Sequence, residues 1–122
     1  YSVTAAFVAG RASRADAVVA SDADYLPLRL AADRGALAAP LLGVPSGIEK
    51  HPGWFEPGKL ADSEGEGARL EGFLGGLPAG GRVYFSVPAD PVPRNLVAPH
   101  LAGARVTIAT PPGGDSVAVV AR

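Results

Sequence analysis

The 122-residue chain has no cysteine and no methionine. Without cysteine there are no disulfides, no thiolate zinc site and no cysteine nucleophile. It also lacks a basic excess: 11 lysines and arginines face 12 aspartates and glutamates, for a net charge of −1. Nucleic-acid surfaces need clustered basic charge, and here no two Lys or Arg residues are adjacent. Nucleic acid is therefore not an expected partner. No apolar run approaches the roughly 20 residues that cross a bilayer as a helix, so no membrane span is expected. The missing initiator Met, with a start at Tyr1 inside a patterned segment, leads us to expect a part excised from a longer protein. Any signal peptide would then lie upstream.

What is present is small and apolar. Hydrophobic residues make up 48% and charged residues 19%, the balance of a folded domain rather than a disordered chain. One domain over residues 1–122 fits this length. Alanine (23), glycine (16) and proline (12) dominate, and nine arginines outnumber two lysines. All of these but lysine have GC-rich codons, which suits a GC-rich bacterial genome.

The spacing predicts a helix over residues 2–12, where Val3, Ala6, Phe7 and Gly10 share a face. Residues 15–21 (ADAVVAS) read as a buried strand. A second helix is expected over 25–34, with Asp24 as its N-cap, Leu26, Leu30 and Ala31 on one face, and Gly35 as a left-handed terminator. Residues 40–44 (PLLGV) read as the second strand, followed by a long loop over 45–60. Ser63 and Glu66 have capping-box spacing, and Leu70, Phe73, Leu74 and Leu77 form a helical stripe. Strands are expected over 82–87 and 105–109, with a weaker helix over 91–102. Residues 117–121 read as a strand or a helix. The Pro-Pro-Gly-Gly turn before them favours a hairpin with 106–109. A short echo between the two chain ends (Ser2-Val3 and Ser116-Val117) allows instead the start of a second copy. The alternation of helices and strands predicts an α/β three-layer sandwich of four or five mostly parallel strands, helices on both faces.

Several constellations bear on function. Asp22 and Asp24 fall at the carboxyl end of the first strand, the edge where open α/β sheets bind ligands. Two carboxylates there could hold Mg²⁺ together with a substrate phosphate, although capping alone accounts for Asp24. Residues 53–60 imitate a phosphate-binding loop but end in Leu60 rather than Ser or Thr, and the strand and helix the motif needs do not adjoin them. Neither His51 nor His100 stands near a serine motif, so no catalytic residues are assigned. Trp54 and Phe55 put aromatic surface on the long loop, fit to stack on a sugar or to bury in a neighbouring copy. Arg29 and Arg34, on the second helix, could hold an anionic polymer, because guanidinium grips carboxylate or phosphate with two parallel bonds.

Residues 15–21, then Asp24-Tyr25 and Leu30-Ala31-Ala32, resemble the type-2 cell wall binding repeat of bacterial surface proteins. So do Ala39-Pro40-Leu41-Leu42, Leu77-Pro78 ahead of Arg82-Val83-Tyr84-Phe85, and Gly103-Ala104-Arg105-Val106-Thr107. The helix at 2–9 resembles that repeat's opening helix, and about two-thirds of the chain takes part. The chain departs from the pattern at Leu28-Arg29-Leu30, where the family usually has Asp-Ala-Leu, and at Val87-Pro88, where it has Gly-Gly. The resemblance implies a Toprim- or flavodoxin-like fold and a non-catalytic, cofactor-free module, secreted or at the cell surface. It would occur in tandem arrays or oligomers and attach to an anionic wall polymer. The alternatives are a ligand- or metal-binding subdomain of a cytoplasmic enzyme and an oligomerisation scaffold.

Overall fold

The computed structural model describes residues 2–20, 24–44, 63–77, 80–86 and 105–121, with backbone only for 63–67. Helix α1 spans Val3–Arg11. Ser2 starts it: its backbone is extended, and its Oγ accepts from the amide of Ala5 at 3.1 Å. The buried face of α1 is Thr4, Ala5 and Val8, all small enough to let the helix lie close to the sheet. Strand β1 (Ala17–Ala20) is buried at every position, as its apolar run predicts.

Helix α2 spans Tyr25–Asp33 and buries Tyr25, Leu28 and Ala31. Leu28, not Leu26 or Leu30, is its anchor in the core. Leu26 and Leu30 are 36% and 47% exposed and line an open groove beside α1. Gly35 ends the helix with φ +76°, as expected, a conformation costly for any residue with a Cβ. Strand β2 (Leu41–Gly43) and helix α3 (Ser63–Gly75) follow. Then come β3 (Arg82–Ser86), β4 (Val106–Ala109) and β5 (Val117–Ala121). Gly81 leads into β3 where a Cβ would collide with the carbonyl oxygen of Ala15. The helix expected over 91–102 lies outside the described residues.

The chain is mixed α/β, with a five-stranded sheet in the order β2-β1-β3-β5-β4. β1 runs parallel to β2 and to β3. β5 runs antiparallel to both β3 and β4. Four strands therefore point the same way, as expected of a mostly parallel sheet, and β5 alone runs against them, which makes the sheet mixed. The physical reason is the short link over 110–116. Parallel neighbours need a crossover of a dozen or more residues, and a link this short permits only a hairpin. Residues 117–121 form that hairpin's second strand, with Val106 opposite Val120 and Ala109 opposite Val117.

Two hydrophobic clusters use alternate residues of the strands. One gathers Val8 of α1 and Leu28 of α2 with Val18, Tyr84 and Val117. The other gathers Leu70 of α3 with Val19, Leu42, Val83, Phe85 and Val120. Phe73, Leu74 and Leu77 pack against the second cluster, so the predicted stripe of α3 is its inward face.

Candidate functional site: an arginine-rimmed hollow on the antiparallel half

The register of the antiparallel half sets the geometry of the site. Arg82 stands opposite Ala121. The pairing of Val106 with Val120 puts Arg105 opposite Ala121 from the other side, where its carbonyl accepts from the Ala121 amide at 3.1 Å. Side chains alternate along a strand with period two, so Arg82, Ala121 and Arg105 share a face. The next row on that face is Tyr84, Val119 and Thr107. β5 therefore lays small side chains between larger ones on β3 and β4. The result is a hollow of about 440 Å³, closed along one side by Phe7 and Arg11 of α1.

Among the described residues its lining carries three guanidiniums and no carboxylate. Arg11 lies over the Phe7 ring, 4.4 Å from its centroid, and this cation–π contact orients it without neutralising it. The three arginines gather at one end of the hollow. Arg82 opens β3, Arg105 precedes β4, and Arg11 closes α1. Asp16 ties the link after α1 to the start of β3. It accepts from the Ser13 amide (2.8 Å), the Ser13 hydroxyl (3.1 Å) and the Arg82 amide (2.8 Å). Partial burial would raise the Asp16 pKa. The two backbone hydrogen bonds, the Ser13 hydroxyl and the Arg82 charge outweigh it and hold the carboxyl below its ordinary value.

A second polar cluster lies at the carboxyl ends of β1 and β3. Asp24 is 5% exposed and Ser86 1%. Ser86 Oγ donates to Asp24 Oδ2 at 2.7 Å, and Ser2 Oγ donates to Oδ1 at 3.1 Å. This corrects the expectation that Asp24 caps α2 through its side chain: it makes no such cap bond. Its own backbone is already helical, and its carboxylate turns inward to the two serines, joining the starts of α1 and α2 to the end of β3. Among the described residues no group of three or more His, Cys, Asp or Glu stands ready to hold a metal.

The other residues singled out in the sequence are placed elsewhere. Arg34 lines the groove between α1 and α2, about 720 Å³ and mostly apolar, with Ala6, Gly10, Leu26 and Leu30. Arg29 is exposed on α2, away from the arginine hollow. Asp22, Trp54 and Phe55 lie outside the described residues. Arg11, Arg82 and Arg105 read in the sequence as scattered charges. The hairpin register alone would have set Arg105 against Ala121, but the contact of β5 with β3, which brings in Arg82, has no local signal. Comparison with family models, with curated proteins and with solved structures returned no match.

Proposed function

We propose that this chain is a non-catalytic binding module that attaches to an anionic polymer of the bacterial cell wall, at the cell surface. The observation that carries the reading is the gathering of Arg11, Arg82 and Arg105 around one open hollow with no carboxylate among the described residues of its lining. Guanidinium holds oxyanions with paired, charge-assisted hydrogen bonds. A net charge near zero leaves a local cluster, rather than the whole molecule, as the attractive feature. The architecture that goes with this reading has three layers, with α1 and α2 on one side of the sheet and α3 on the other. The separate clusters of Leu28 and Leu70 support it. So does the right-handed rule for crossovers, since the connections leave and return past β1 in opposite directions. Neighbouring copies of the domain would add avidity along a polymer.

The test is co-sedimentation with purified bacterial cell walls. Wild-type protein is expected in the pellet at low salt, with release as salt rises. The Arg82→Gln/Arg105→Gln double variant is expected in the supernatant. Equal recovery with and without walls, or equal retention of the double variant, overturns the reading. The second reading, a small-ligand or Mg²⁺ site at Asp22 and Asp24, is favoured by the position of Asp24. It stands between β1 and β3, where the strand order reverses. We rank it second because Asp24 already accepts from two serines.

A further inference from the structure

We infer that the hollow is built for a terminal phosphate, a phosphate monoester on a sugar, rather than for a carboxylate or an internal phosphodiester. The inference rests on the anion-binding reading above and sharpens its ligand. Arg82 and Arg105 flank Ala121 from adjacent strands on either side, about 10 Å apart along the hydrogen-bonding direction. Their side chains rise from the same face, and Arg11 approaches from α1, fixed over Phe7. Three guanidiniums on three elements therefore border one volume. A carboxylate offers two oxygens and one charge, which a single bidentate arginine satisfies. A phosphodiester likewise has one charge and two free oxygens. A phosphate monoester carries a charge of about −1.5 to −2 and three strong acceptor oxygens, one for each guanidinium.

The rest of the hollow suits what the phosphate is attached to. Beyond the arginine row the floor is Val119, with buried Tyr84 on one side and exposed Thr107 on the other. An apolar floor beside a hydroxyl rim fits a sugar ring, which has apolar C–H faces and polar edges. Among the described residues the charged and titratable groups facing the site are Arg11, Arg82, Arg105 and Tyr84, with Asp16 beside Arg82. The hydrogen bonds of Asp16 favour its ionised form. The monoester's own second ionisation, near pH 6, is then the step that sets the pH dependence of binding.

The test is calorimetric titration of the whole chain with glucose 6-phosphate, dimethyl phosphate and glucuronate at low salt. The monoester is expected to bind roughly tenfold tighter than the other two, and tighter as pH rises through about 6. Arg105→Gln and Arg11→Gln are each expected to weaken it by about tenfold while leaving the thermal midpoint unchanged. If glucuronate binds as tightly as glucose 6-phosphate, or no small anion binds, the inference is overturned. Arginine-dependent retention on walls would then still uphold the attachment reading. If the monoester binds selectively and walls fail to retain the protein, the attachment reading falls and this one stands. Phosphatase treatment of the walls separates the two sources of the group. Lost retention assigns it to polymer ends, and unchanged retention with selective titration assigns it to a free sugar phosphate.

Discussion

Strands β1 and β4 are nearly the same in kind, AVVA against VTIA, four residues each of alanine and β-branched side chains. Yet β1 is buried throughout, while β4 leaves Thr107 exposed and Ile108 62% exposed. The difference lies in position, not composition. β1 sits between two parallel partners with a hydrophobic cluster on each side, whereas β4 ends the sheet beyond β5. The parallel half is the scaffold. The antiparallel half ends in a strand with exposed side chains, and the arginines line the hollow beside it. Binding groups on an open face carried by a rigid sheet can be exchanged at little cost in stability, which scaffold positions cannot.

The sharpest way to break that contrast is to truncate one large side chain in each half. Leu28 is fully buried beneath α2. Leu28→Ala is expected to cost about 3 kcal/mol, the lost transfer energy plus the cavity left behind. Ile108→Ala is expected to fall within about 0.5 kcal/mol of wild type. Urea denaturation of both variants measures this. Equal losses would mean that β4 belongs to the scaffold after all.

How much of this was legible in the sequence follows the same division. The Val-Val centre of β1, the stripe from Leu70 to Leu77 and the Gly35 terminator are local patterns, and each landed within a residue or two. On α2 the periodicity was right, but of the expected face only Ala31 turns inward. Leu26, Leu28 and Leu30 all lie within two turns, and only the docking of the helix against β1 selects Leu28. Asp24 is an N-cap by type and position, yet Ser86, 62 residues away, outcompetes the α2 amides for its carboxylate. The insertion of β5 between β3 and β4 likewise joins residues distant in sequence, which no local propensity encodes. The candidate site was therefore the least legible part, because its three arginines meet only through that pairing.

The Asp24 cluster gives the next effect in size. Ser86→Ala leaves Asp24 Oδ2 buried without its serine donor. The expected loss is about 2 kcal/mol, in the range for stranding a buried charged acceptor. Thermal or urea unfolding checks it. A loss no larger than that of Ile108→Ala would show that water replaces the serine, and that the carboxyl ends of β1 and β3 are as open as β4.

The smaller of the two polar effects belongs to Asp16, where the two halves meet beside the arginine hollow. Its hydrogen bonds to Ser13 and to the Arg82 amide favour the carboxylate, so its pKa in the folded chain lies below the unfolded value. A depressed carboxyl pKa contributes stability that is present above the unfolded value, about 3.9, and is lost as pH falls through the folded one. Asp16→Asn keeps the shape and removes the charge. At neutral pH the variant is expected to be less stable by about 1 kcal/mol, a modest figure because solvent screens a half-exposed group. As the pH falls below the folded value the two proteins should converge, since protonation removes from the wild type what the substitution removed from the variant. Unfolding curves between these limits decide the matter. A gap that persists unchanged into acid would mean that Asp16 holds β3 by shape rather than by charge, and that Arg82 is free to give its whole charge to the hollow.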